Sequence, residues 1–104
     1  MKAKGRFYYK QTTNGNLLGE FSNNKSDRNY TESANILSGF LSEYIGNYTA
    51  TWNEIEPTSL DLSIIIKPST NGIFTLVWSQ NGKSVFSGEA FIVDNILIGN
   101  YEEV

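Results

Sequence analysis

Aromatic and acidic side chains carry whatever chemistry this chain can do. Tyr48, Trp52, Phe74, Trp78 and Phe86 fall at alternating positions of apolar runs, the spacing that turns every second side chain of a strand to one face. Such a group lines a pocket for an apolar or amphipathic molecule, because rings offer large contact areas and Trp or Tyr adds a polar handle that orients a ligand. The same residues would also fill the narrow interior of a small barrel as plain core. At the level of sequence both readings stay open.

Carboxylates are the second candidate group. Glu20 and Glu89 sit beside glycines in β-prone runs, and Asp61 interrupts an apolar one. Two carboxyls held about 5 to 9 Å apart across a cleft can share general acid and base work. Alternation, however, sets Asp61 and Glu89 opposite Leu62 and Ala90, on the solvent side. With no Cys and no His, the chain has no thiol nucleophile, no thiolate zinc site, no disulfide and no histidine base. No catalytic residue is assigned, and an enzyme working through carboxylates is the least favoured function.

Other sites are weaker still. Arg6 and Arg28 have the fork that grips a carboxylate or phosphate, but each has acidic residues within reach of a surface pairing. A metal would have to use Asp27, Asp61, Asp94 or Glu residues with Asn or backbone oxygens, a set that suits calcium or magnesium, and the Asn23–Asp27 loop lacks the regular donor alternation of an EF-hand. No metal and no cofactor is expected. Asn24, Asn29 and Asn47 open glycosylation sequons that matter only in a secretory pathway.

The net charge is −3 and the basic residues are scattered, which argues against a nucleic-acid partner. No apolar run approaches the roughly 18 residues of a membrane span, and the apolar stretch Phe7-Tyr8-Tyr9 is too short for the centre of a signal peptide. A soluble, cytoplasmic protein with no membrane partner is the expectation.

The elements that must position these residues are mostly strands. A length of 104 residues allows one domain with one core. GRFYYKQ and LLGEFS, joined through Asn14-Gly15, predict an N-terminal hairpin. Over residues 32–45 the period changes: Ile36, Leu37, Phe40, Leu41, Tyr44 and Ile45 recur at three-to-four spacing, which predicts one short helix ending at Gly46. A strand over Tyr30–Asn35 leading into a shorter helix is the rival. From Asn47 onward the period is two, with Tyr48, Ala50 and Trp52 on one face, then Leu60, Leu62, Ile64 and Ile66, then Phe74, Leu76 and Trp78. Pro57 breaks the first of these runs, and Asn81-Gly82 centres the next hairpin. Short turns favour an antiparallel up-and-down meander. Gly19, Gly88 and Gly99, placed within strands, allow the coiling that closes a small barrel, although a two-sheet sandwich would use them at its bends.

The segments YIGNYTATWNE, LDLSIII, GIFTLVW and VFSGEAFIVDNILIGNY together resemble the calycin class of small antiparallel barrels, the lipocalins and avidins. In those families an early barrel strand opens with Gly-x-Trp; here Gly46 matches, Tyr48 stands where the Trp would be, and Trp52 has no counterpart. The resemblance spans Ile45 to Tyr101, with the hairpin and helix lying before it. It implies a lipocalin-like barrel whose interior or open end receives an apolar or amphipathic small molecule.

Two main functions follow. A non-catalytic binding barrel would place Tyr48, Trp52, Phe74, Trp78 and Phe86 around a cavity of about 300 Å³ or more. An interaction or homo-oligomeric assembly module, a homodimer in its simplest form, would instead use the two-faced strand Ile73–Val77 with Val85 and Phe91 to meet another chain.

Overall fold

Turns of a few residues between β-prone runs leave each strand only its sequence neighbours to pair with. In the computed structural model, which describes residues 2–39, 43–54 and 56–104, eight strands do so: β1 (Lys4–Gln11), β2 (Leu17–Asn23), β3 (Tyr30–Gly39), β4 (Gly46–Asn53), β5 (Pro57–Ile66), β6 (Phe74–Gln80), β7 (Lys83–Val93) and β8 (Ile96–Glu103). Each runs antiparallel to the next, and β8 pairs back onto β1, with Gly99 opposite Phe7 and Leu97 opposite Tyr9. The result is a closed up-and-down barrel and not a sandwich.

Two expectations need correction. The N-terminal hairpin is no appendage: β1 and β2 are barrel staves, and β1 closes the cylinder against β8. The helix over residues 32–45 is absent; Tyr30–Gly39 is strand β3, paired with β2 on one side and β4 on the other, and no helix occurs among the described residues. Phe40 and Leu41, which the helical stripe included, lie outside the described residues. The misleading period has two physical causes. Glu32 points inward beside Ala34, so a charged residue occupies a core position and hides the two-residue alternation. Between Ile36 and Ser38 the register shifts, and the extra residue Leu37 turns outward, 65 % exposed. A bulge that inserts one residue puts two large apolar side chains side by side, and this imitates a helical stripe. The run that Pro57 was expected to break does end before it, at Asn53, and Pro57 itself begins β5, where a strand tolerates a missing donor.

The turns behave as their residues require. Asn81 and Gly82 have φ of 52° and 80°, and Asp94 and Asn95 have φ of 50° and 67°. Two successive left-handed residues make the primed turns whose twist matches that of the flanking strands.

Inside, the barrel is unequal along its axis. At the end where β1, β3, β5 and β7 finish, Tyr9, Leu17, Tyr44, Tyr48, Ile64, Leu76 and Leu97 pack without measurable gaps in exposure, each at 0 or 1 %. Tyr44, held at φ 67° before β4, acts as the stopper. Its hydroxyl lies between the carbonyl oxygens of Tyr9 (2.9 Å) and Asn95 (2.7 Å), and its backbone N–H donates to Gln11 Oε1 (2.8 Å). Tyr48 Oη donates to the Tyr44 carbonyl at 2.7 Å and accepts from Gln11 Nε2 at 3.2 Å. The polar ends of these rings are therefore satisfied where burial would otherwise penalise them. Burial still raises the Tyr48 phenol to about 12.

Candidate functional site: an aromatic cavity with a buried glutamate

The opposite end stays open. There the inward residues of β1, β2, β4, β6, β7 and β8 are Phe7, Phe21, Trp52, Trp78, Phe86 and Tyr101, and they surround a cavity of about 200 Å³. The rings brace one another edge to face: Phe7 against Trp78 with centroids 5.5 Å apart, Phe21 against Trp52 at 5.9 Å, and Phe86 against Tyr101 at 5.6 Å. Such pairs are worth about 0.5–1.5 kcal/mol each beyond area burial, so the wall is built before any ligand arrives.

Glu32 of β3 lies at the bottom, only 6 % exposed. The register explains how it is held, since Glu32 stands opposite Gly19 on β2 and Trp52 on β4, and Gly19 in turn stands opposite Tyr9 on β1. A Cβ on Gly19 would collide with the Tyr8 carbonyl oxygen and come within 3.0 Å of the Tyr9 ring. Glycine at that position lets the Tyr9 ring pass and its hydroxyl reach Glu32.

Tyr9 Oη donates to Glu32 Oε2 at 2.6 Å, and Trp78 Nε1–H donates to the same oxygen at 3.2 Å. Among the described residues Oε1 has no hydrogen-bond partner. Among the described residues, every fully buried side-chain nitrogen or oxygen has a partner, so Oε1 is open to the cavity that Glu32 lines. Burial raises the carboxyl from the ordinary 4.5 to about 7, with the bonds from Tyr9 and Trp78 pulling the other way. The Tyr9 phenol is pushed well above its usual range, first by burial and then by the neighbouring carboxylate.

Ala3, Asn23, Lys25, Glu54 and Glu103 form the mouth. Asn23 Nδ2 donates to Tyr101 Oη at 3.1 Å, and Ala3 N–H donates to Glu103 Oε1 at 2.9 Å. That backbone bond holds the Glu103 carboxyl below its ordinary range, helped by Lys25, whose Nζ stands 3.8 Å away.

Of the aromatics singled out by alternation, Trp52, Trp78 and Phe86 line the cavity. Tyr48 and Phe74 also point inward but belong to the packed end. Parity of position gives the face of a strand and says nothing of depth: Tyr48 and Trp52, like Phe74 and Trp78, are four residues apart, about 13 Å along the strand. Alternation within GRFYYKQ and TESANI would have added Phe7 and Glu32 had those runs been taken as barrel strands.

The other candidates lie outside. Glu20 faces outward on β2 and accepts a hydrogen bond from Tyr8 Oη. Asp61 is exposed on β5, and Glu89, exposed on β7, pairs with Lys67 at 2.6 Å. None of the three lines the cavity. Arg6 is exposed, and Arg28 sits over the Tyr30 ring at 5.7 Å. Among the described residues no cluster of three or more potential ligands is arranged to hold a metal ion, and no helix is long and apolar enough to cross a membrane.

The chain matches no protein-family model, no curated protein and no solved structure. The eight-stranded closed barrel is therefore what it shares with the calycins, and membership of that class does not follow.

Proposed function

We propose that this protein binds one small, ring-sized amphipathic molecule in the open end of its barrel, without catalysis. The observation that carries the reading is the convergence of six aromatic rings on a cavity whose floor presents one unpaired carboxyl oxygen. Apolar walls with few, fixed polar groups are the usual make-up of small-molecule sites. The size differs from the expectation of 300 Å³ or more: about 200 Å³ is too small for a drug-sized or lipid ligand. It is ample for a single substituted ring, since an apolar cavity of about 150 Å³ holds benzene.

Crystals soaked in 4-bromophenol test this. Anomalous density for bromine between Trp52, Trp78 and Phe86 is the expected result. Density for water alone at millimolar concentrations, with no ligand retained in native mass spectrometry, refutes it.

An assembly role is the second reading, supported by the outer surface. Phe91 (50 % exposed) stands opposite Ile98 (39 %) across β7 and β8, and Val93 (41 %) lies two residues from Phe91. Apolar pairs on the outside of a barrel are the kind of patch a second copy would cover. Light scattering at high concentration decides it: a strictly monomeric species removes the self-assembly version.

A further inference from the structure

Within that binding reading, we infer that the cavity selects a small protonated amine, with the ammonium group on Glu32 Oε1 and the body of the ligand between Trp52, Trp78 and Phe86. Three observations lead there. The donors at the floor, Tyr9 Oη and Trp78 Nε1–H, are both spent on Oε2, so at that depth the ionised acid presents a ligand with an acceptor, while the Tyr101 hydroxyl, which accepts from Asn23, stands on the wall above it. The charged groups lining the cavity are Glu32, Glu54 and Glu103 against Lys25, and Lys25 lies 3.8 Å from Glu103. Lys25 and Lys2 offset Glu103 at the mouth; past them an anion would meet Glu54 and Glu32, whereas a cation is drawn in and then paired. The walls are aromatic, and ring faces attract cations most strongly where water is excluded.

A buried carboxylate without a counter-ion is costly, and an ammonium seated on it would supply both the missing charge and the missing hydrogen bond. Without ligand the acid near neutrality shares its time with the protonated form, and the proton then sits on Oε1, because Oε2 already accepts two bonds. Amine binding therefore competes with that proton. The groups that face Glu32 are Tyr9 from β1, Trp78 from β6 and Tyr101 from β8, with Glu54, Glu103 and Lys25 at the mouth. Burial raises the Glu32 carboxyl among them to about 7.

The test uses benzylamine, benzyl alcohol and benzoate, which share a ring and differ in charge, each titrated into the protein while the indole N–H resonances of Trp52 and Trp78 are followed by NMR. At pH 8 benzylamine is expected to bind at least tenfold more tightly than benzyl alcohol, with benzoate weakest. Its affinity should fall about tenfold per pH unit on acidification below 7, while that of benzyl alcohol does not follow this course. In Glu32→Gln, with its fold verified by near-ultraviolet circular dichroism, the ratio of benzylamine to benzyl alcohol affinity should drop towards one. Equal binding of amine and alcohol by the unaltered protein, or tighter binding of benzoate, overturns the amine selectivity and leaves the binding cavity standing. No movement of either indole resonance with any of the three compounds overturns the cavity as a binding site, and the selectivity with it.

Discussion

Replacing Glu32 by glutamine should make the barrel more stable at neutral and mildly alkaline pH and leave it nearly unchanged in acid. Burial raises this carboxyl from 4.5 to about 7, so between those values the folded protein holds a proton that the unfolded chain has released. Stability falls with rising pH wherever the folded state binds more protons. The contribution of the protonated acid is thus complete below about pH 4.5 and is lost as pH rises through 7. At about 1.4 kcal/mol per pH unit, the interval corresponds to about 3 kcal/mol. Glutamine keeps an oxygen to accept from Tyr9 and Trp78, presents its amide to the cavity, and stays neutral throughout. Guanidinium unfolding followed by tryptophan fluorescence at pH 4.5, 6 and 8 would measure the difference between the two proteins. Glu103, whose depressed pKa acts in the opposite sense by adding stability above its ordinary value, is present in both and cancels. With no histidine in the chain, no other side chain of ordinary pKa titrates between 6 and 8 to blur the result. A difference that does not change with pH would refute the reasoning, because it would mean that Glu32 titrates alike in folded and unfolded chains.

The remaining predictions concern the groups around that acid and the stopper at the far end. Tyr9→Phe removes the 2.6 Å bond to Glu32 Oε2; it should cost about 1.5–3 kcal/mol at pH 8 and raise the Glu32 pKa further, read from the carboxyl carbon shift in an NMR titration. Gly19→Ala drives a Cβ into the Tyr8 carbonyl oxygen and the Tyr9 ring, so a loss of about 3 kcal/mol or failure to fold is expected, measured by thermal melting. Tyr44→Phe takes the hydroxyl from between the carbonyl oxygens of Tyr9 and Asn95 and should cost about 1–3 kcal/mol at all pH values below 9, with ligand binding at the open end unaltered by titration.

Strands from Asn47 onward are legible in the sequence because alternation runs through most of each and their turns carry Asn-Gly or Asp-Asn pairs; it fails at the end of β5, where Ile65 and Ile66 are both exposed, and the register shifts after Trp78. The third strand imitates a helix in the sequence for reasons that belong to the site itself. An inward acid is forbidden by the ordinary pattern of a half-buried strand, and Glu32 is such an acid. Its partners were equally hidden, because Tyr9 and Trp78 are separated from it by 23 and 46 residues, and nothing local in either run announces a hydrogen bond across the barrel. Barrel closure was foreshadowed by Gly99, which stands opposite Phe7 across β1 and β8 and leaves room for its ring. What alternation could not supply was the axial coordinate that sorts Trp52 from Tyr48 and Trp78 from Phe74.

A sequence selected for stability alone would not place a glutamate at position 32. The site opposite Gly19 and beneath Trp78 would take a leucine or methionine, filling part of the cavity and removing an acid whose ionisation near neutrality works against the fold. The barrel tolerates this acid because most of its closed half packs without it: Leu17, Tyr44, Tyr48, Ile64 and Leu97 are fully buried without contributing to the cavity wall, and Tyr9 joins that half to the acid through its hydroxyl. Local conflicts with foldability of this kind concentrate where a protein meets its ligand. The conflict also ties stability to selectivity through one side chain. Glu32→Gln should gain stability at pH 8 and lose the preference for benzylamine in the same step. If a variant at position 32 gained that stability and kept the preference, the carboxylate could not be the group that receives the ammonium.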